Sequence, residues 1–553
     1  MDFPFVGPSY TARSSYQAAD ECINWFPEQL QVERADGRGK WALYPTPGKV
    51  VLLQFADQAE VRCTYVVSGS TVMLAVCGSS LYSVSTGFVP TLVGTLASSS
   101  GPVSISDNGQ VAMICDGTNR YVYNLTTAYF SSLNVNQFTA KIDNGSGSPG
   151  NILTVSAMAS GLIGLYQPIT GAGVAAGTSI SQFSSGSGTT GTYIVTGAPQ
   201  LVANETMTVA DGAFTGGNFV SEVDTFFIYT KPNTNQWGAS NSNSVSSQPL
   251  SFSYKDGSAD NTVACINVNR EVFLLGERTS ECWVDAGSFP FPFTRLPGTN
   301  TQHGCAAPFS VSRLGDSFAY LSKDDRGQCF VYKMNGYTPE PISTFAVSDA
   351  ISGYAIIADA RAYSYSTDGH QFYVLNFPSA DVTWVYDEST QLWHKRAWRD
   401  TFNVLHRDRG NCCANFANQI VVGDWQNGNL YSLQDNVYTD AGNPIYRLRR
   451  ATHLTHELYR VSYSSFQIQF QPGVGLNIGQ GSNPQCIVSW SNDGGSTYST
   501  PLYVNIGVQG AYKNRAIVRR LGQARDRIFQ VEITDPVNAV IISAELEAES
   551  AAH

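Results

Sequence analysis

Short runs of alternating aromatic and β-branched residues recur along the chain, many closed by an Asn-Gly or Asp-Gly pair. Asn108-Gly109, Asp116-Gly117, Asp256-Gly257, Asn335-Gly336, Asp368-Gly369, Asn427-Gly428 and Asp493-Gly494 are of this kind. Such pairs favour tight hairpin turns, because Gly takes positive φ without steric cost and the turn then matches the twist of the flanking strands. No stretch carries a long apolar stripe of period 3.6. Only 14% of residues are charged and 12% are aromatic, whereas long surface helices need an outer face rich in Lys and Glu. The chain is therefore expected to be all-β.

A looser repetition underlies the hairpins. Leu81-Tyr-Ser-Val84, Tyr121-Val-Tyr123, Cys282-Trp-Val284, Phe330-Val-Tyr332, Trp384-Val-Tyr386 and Leu430-Tyr-Ser-Leu433 are short aromatic–aliphatic strands. Many lie about 40–50 residues apart, the period of propeller blades. The expectation is a β-propeller-like platform of about six or seven blades, in two parts at residues 1–142 and 211–440. Between Asp143 and Glu205 there is no Asp, Glu, Lys, Arg or His. Low complexity favours a disordered linker, but the alternation at Ile152–Val155 and Tyr193–Val195 favours a small inserted β knob, residues 143–210. Beyond Asp440 basic residues cluster among strand-like runs at Ser465–Phe470 and Ile528–Ile533, which marks a C-terminal β domain, 441–553. Glu545–His553 reads as a frayed tail.

Charge narrows the functions. The 33 basic and 44 acidic residues give a net charge of −11, which argues against a surface that grips nucleic acid. It is compatible with a pore that DNA traverses without sticking. The eleven cysteines include no C-x-x-C pair, so they are expected to be free thiols rather than zinc ligands or a redox centre. The N-terminus shows no secretory signal and no 18-residue apolar run marks a membrane span.

Few motifs carry chemistry. Ser491-Asn-Asp493-Gly-Gly495-Ser-Thr497-Tyr498 matches the Asp-box pattern, a hairpin in which an Asp accepts turn amides. Propeller glycosidases carry several copies away from their active sites, and here one good copy is evident. His453-Leu-Thr-His456-Glu457 lacks the H-E-x-x-H arrangement, and on a strand its two rings would point to opposite faces. No phosphate loop, nucleophile elbow or dinucleotide fingerprint is present, so neither a catalytic residue nor a metal or other cofactor is expected. In the basic stretch Arg519-Arg520-Leu-Gly-Gln-Ala-Arg525, Arg519, Arg520 and Arg525 are candidates for a phosphate or partner contact. The alternative is a solvated surface partly paired with Asp526, Glu532 and Asp535.

Several stretches, taken in order, resemble one family. They are Gly7-Pro-Ser-Tyr10, Cys22-Ile-Asn-Trp-Phe-Pro-Glu28, Tyr44-Pro-Thr-Pro-Gly48, Ser280-Glu-Cys-Trp283 with Gly287-Ser-Phe-Pro-Phe-Pro-Phe293, and Gly336-Tyr-Thr-Pro-Glu-Pro-Ile-Ser-Thr344. Further matches are Trp384-Val-Tyr-Asp-Glu-Ser-Thr-Gln-Leu-Trp393 and Arg520-Leu-Gly-Gln-Ala-Arg-Asp-Arg-Ile-Phe529 leading to Ile533-Thr-Asp-Pro536. Together they resemble the tail hub or nozzle proteins of short-tailed bacteriophages, also known as packaged-DNA stabilisation proteins. The 143–205 insert is similar to Gly/Thr-rich β modules grafted into assorted phage structural proteins.

The resemblance implies a non-enzymatic virion protein that assembles in the host cytoplasm into a ring, as a rule a hexamer, below the portal and adaptor. It implies an extended and closed DNA channel, docked tail fibres or tailspikes, and in some cases a needle or plug. Viral DNA would pass without sequence recognition. Two other readings are a propeller glycosidase or sialidase-like enzyme, resting on the Asp box, and a carbohydrate-binding tail protein.

Overall fold

A computed structural model describes residues 2–30, 41–69, 71–134, 136–456 and 459–550. Strands dominate it. The one α-helix among the described residues, Phe345–Ser352, is capped by the Thr344 side chain, which accepts from the Val347 amide.

Seven antiparallel units of four strands each stand around an axis. Six are contiguous, at residues 61–95, 104–132, 220–254, 262–295, 312–341 and 361–399. The seventh takes three strands from 410–434 and its fourth, Gly48–Gln54, from near the start of the chain. Each blade's first strand is innermost, and these inner strands pack against one another around the ring. Between neighbouring blades the apolar faces merge. Leu74 and Val76 of the first blade share a core with Ile114 and Tyr121 of the second. Met73 and Tyr82, on the opposite face of the first, join Val421 and Leu430 of the seventh. This two-sided burial is why strands such as Val72–Cys77 are almost continuously apolar.

The insert is a folded six-stranded sheet with its own core, which includes Phe138, Ile142, Leu153, Tyr193 and Met207. It begins at Asn136, ahead of the uncharged stretch, because Asn136–Asp143 is the central strand, between Val202–Val209 and Ile152–Ser160.

After the propeller comes a β-sandwich. One sheet orders Trp25–Gln29, Trp41–Pro45, Ile541–Ser550, Val461–Phe470 and Ala516–Arg519. The other runs Ala19–Ile23, Arg447–Arg450, Asp526–Ile533, Gln485–Ser491 and Leu502–Asn505. Phe466 and Phe529 stack across the interior at 4.4 Å, with Phe3, Phe5 and Trp25 around them.

Two expectations change here. Strands between residues 2 and 45 build mainly the C-terminal domain, with one bridge to the propeller at Ile23, because Asp2–Phe3 and Trp41–Pro45 complete a sheet around Ile541–Ser550. For the same reason Glu545–Ser550 is no frayed tail but a strand paired along Val461–Phe470; residues 551–553 lie outside the described residues.

Propeller and sandwich are joined by hydrogen bonds. Ile23 pairs in parallel with Lys395 of the sixth blade, so that blade continues into a sandwich sheet. Next to it Asn24, at φ 56°, donates its side-chain amide to the carbonyls of Ala397 and Tyr446, each at 2.7 Å. Its side-chain oxygen accepts the Ala397 amide at 3.0 Å. Asn24→Gly keeps the left-handed backbone and deletes only these bonds, leaving buried partners unmet. We expect it to cost about 2–4 kcal/mol, read as a lower thermal midpoint and faster amide exchange confined to the junction.

Candidate functional site

The propeller axis holds a cavity of about 430 Å³. Arg62, Arg313 and Arg361 line it together with Cys63, Cys412 and Cys413. Each arginine is already engaged. Arg62 donates to the carbonyls of Gly78, Ser98, Ser100 and Gly101 and to the Ser98 hydroxyl. Arg313 holds Asn267 through both its carbonyl and its side chain, and Arg361 is paired with Glu60. Burial pushes the Cys412 thiol up to about 12, and Cys63 and Cys413 also rise. These thiols are therefore protonated and unactivated. The axis is a place where blades are tied together.

All eleven cysteines are unpaired. His453 and His456 do not converge. The His453 ring lies between the Asp526 carboxylate, at 2.8 Å, and the Ser15 carbonyl, whereas His456 is exposed. Glu457 lies outside the described residues.

In the Asp-box turn, Asp493 accepts the Ser491 hydroxyl at 2.6 Å, the Thr497 amide at 2.9 Å and the Thr497 hydroxyl at 2.6 Å. The Ser491 hydroxyl accepts the Gly495 amide at 2.9 Å. Gly494 and Gly495 both have positive φ, and Tyr16 lies so close that a Cβ on Gly494 would come within 2.5 Å of its ring. Tyr498 packs under the Arg450 guanidinium, 5.2 Å from the ring centroid. The turn thus seats the N-terminal segment on the sandwich.

The arginines of the C-terminal domain divide into two sets. Arg447, Arg449 and Arg527 are interior. Arg449 donates to the carbonyls of Phe5 and Pro8 and to Asp20, while Arg527 lies 4.3 Å over the Tyr463 ring and donates to Leu521. By contrast, Arg519, Arg520 and Arg525 are exposed. The acids considered as their partners are occupied elsewhere: Asp526 faces His453, Glu532 accepts from Gln530, and Asp535 accepts from the Gln485 amide.

One buried cluster leaves no mark in the sequence. At the root of the knob Arg120, fully buried in the second blade, lies 3.9 Å over the Tyr229 ring. It donates to the carbonyls of Asp211 and Phe214 and sits 3.3 Å from the Asp211 carboxylate. That carboxylate also accepts from Gln167 within the knob and from the Ser247 amide of the third blade, both at 2.8 Å. Isolated in sequence, Arg120 and Asp211 resemble any surface pair; only the fold brings the knob and two blades onto them.

A family model described as bacteriophage P22 Gp10, beta-propeller, matches residues 171–438. A second, described as bacteriophage P22 Gp10, beta-sandwich, matches residues 446–549. The two cover more than half of the chain, in the order in which the structure presents propeller and sandwich. The chain belongs to the bacteriophage P22 Gp10 family.

Membership makes it a structural protein of the phage tail, of the tail nozzle or packaged-DNA stabilisation class of podoviruses, and not an enzyme. The glycosidase reading of the Asp box is thereby set aside. The P22 Gp10 propeller match starts inside the knob, and no part of it covers the strands before residue 48 that complete the sandwich. A search of curated proteins found no match. Among solved structures, Hsv2 of Kluyveromyces lactis aligns over 61% of this chain and 97% of its own at 8% identity. Its TM-score of 0.27 carries no argument.

Two predictions arise from these clusters. The hydrogen bonds from Ser491 and Thr497 hold the Asp493 carboxyl down to about 2. Its contribution to the turn is present above the ordinary carboxylate range and is lost only as pH falls through that value. The Thr497 amide should therefore stay protected from exchange at pH 3, and Asp493→Ala should expose it at every pH. Burial lifts Asp211 to about 6, against the pull of Arg120. A raised carboxyl keeps its proton when folded while the unfolded chain has lost it, so stability falls as pH climbs from about 4 to 6 and then levels. Asp211→Asn should flatten that portion of the thermal-midpoint profile. Arg120→Met should cost about 3–5 kcal/mol by stranding a buried carboxylate.

Proposed function

We propose that this chain forms the ring-shaped tail hub or nozzle below the portal and adaptor, with six copies to a ring. In this reading it extends and closes the DNA channel, retains packaged DNA and docks tail fibres or tailspikes, with a needle or plug as a further partner. The ring assembles in the host bacterial cytoplasm. Support comes first from the family match over both propeller and sandwich. The observation that carries the reading further is the continuous sheet from the sixth blade into the sandwich, pinned by Asn24. A ring built from heterologous contacts keeps its closure angle only if each subunit is stiff across its width, and a propeller fused to a sandwich through shared strands is stiff in that sense. The net charge of −11 suits passage of DNA without retention.

The experiment is mass photometry and negative-stain imaging of the full chain, alone and mixed with portal–adaptor complexes. The expected result is a ring with a central channel that docks on the adaptor. A chain that stays monomeric and ignores the adaptor overturns the proposal.

A further inference from the structure

The open edge of the sandwich sets a nearly uncharged stretch beside a cluster of cations. Between residues 461 and 512 the sole charged side chain is Asp493, which is spent on its own turn. Both sheets end on this side, at the edge strands Leu502–Asn505 and Ala516–Arg519. Two loops, 471–484 and 506–515, present Leu476, Ile478, Val508 and Tyr512 there, with Ile478 85% and Tyr512 74% exposed.

These loops are held in place. The Leu476 amide donates to Gly481 at 2.8 Å, the Ala511 amide to Val508 at 3.0 Å, and the Asn514 side chain to the Asn505 carbonyl at 2.8 Å. The loops also touch: a Cβ on Gly473 would come within 2.7 Å of the Tyr512 ring, and one on Gly475 within 2.7 Å of the Gln509 amide nitrogen. The apolar side chains are thus displayed on a shaped surface, and little ordering would be required on contact.

Around this centre lies a cationic rim. Lys513, Arg515, Arg519 and Arg520 are exposed, and no carboxylate occurs from 513 to 525. In a chain of net charge −11, concentrating cations here leaves the remainder more acidic than the whole. An apolar centre with a cationic rim is complementary to an acidic surface, and the acidic surface available in quantity is that of the chain itself.

We propose that the open edge of the sandwich is the face by which one copy of this chain seats on the acidic propeller of the next. This rests on the ring reading and names its contact. The two surfaces are different parts of the molecule, so the contact is heterologous and propagates head to tail until it closes, whereas a self-complementary patch would stop at a pair. Duplex DNA would engage the rim but leave the apolar side chains in water, so the centre selects a protein partner.

The test uses the full chain and two variants, Ile478→Asp with Tyr512→Ser for the centre and Arg519→Glu with Arg520→Glu for the rim. Each variant is checked for an unchanged thermal midpoint. Mass photometry should show that both need about tenfold or more higher concentration to form rings, a loss typical of an interface anchor. Raising salt should weaken wild-type rings, and the rim variant should lose most of that salt dependence. Zero-length cross-linking of mixed light and heavy copies should join Lys513 to propeller carboxylates of the other copy.

Rings that form at wild-type concentration in both variants overturn this contact while leaving the ring intact. Cross-links from Lys513 confined to its own copy do the same. Loss of duplex binding in the rim variant with rings unaffected also overturns it, in favour of a nucleic-acid contact. A wild-type chain that never forms rings overturns the ring reading and this contact together.

Discussion

Asn24 stands where three segments distant in sequence meet. Its backbone takes a left-handed turn that few residues other than Gly accept without strain. Its amide then replaces the ladder bonds that the turn removes, with Ala397 on one side and Tyr446 on the other. Without it, the strand Ala19–Ile23 in one sandwich sheet and Trp25–Gln29 in the other would have no fixed corner between them. The same short segment sends Glu21 to Lys395 and Arg450, Glu28 to His370, and Trp25 through its indole N–H to Ala539. The relative pose of propeller and sandwich is therefore set mainly by residues 19–29 and their partners.

Local turn chemistry made the fold class legible. Asn108-Gly109, Asp368-Gly369 and Asn427-Gly428 mark real hairpins, since each lies between strands that pair with one another. The alternating run at Ile152–Val155 foretold a strand inside a segment whose composition favoured disorder. What the sequence could not disclose was which distant strand completes which sheet. Gly48–Gln54 has the composition of a first-blade strand, yet it pairs with Asn429–Gln434. Glu545, Glu547 and Glu549 have the look of a solvated tail because only the intervening positions face the core.

The sites were less legible than the fold, for an electrostatic reason. Arginines cluster in the C-terminal sequence without distinction, but burial separates them into structural and exposed sets. Arg449 is interior because the chain's first residues supply it with carbonyl acceptors, and Arg527 because Tyr463 offers a ring face. Arg519 and Arg520 meet no such partners and remain in solvent. A buried guanidinium needs acceptors brought from elsewhere in the chain, and that convergence cannot be read from spacing. Arg120 with Asp211 shows the same dependence at the root of the knob.

The strand Gly48–Gln54 also dictates an order of events. The seventh blade is incomplete until residues 410–434 arrive to pair with it, and the first sandwich sheet is incomplete until Ile541–Ser550 reaches Trp41–Pro45. Both closures join segments far apart in the chain, so the entropic cost of bringing them together is met late. During synthesis, blades one to six can stack while the ring stays open and the early strands wait with unpaired edges. Only a chain made through to its final strand presents a closed propeller and a finished sandwich. A ribosomal product cut short before residue 410 therefore leaves the propeller ring open, and one cut before residue 541 leaves a sandwich sheet without its central strand.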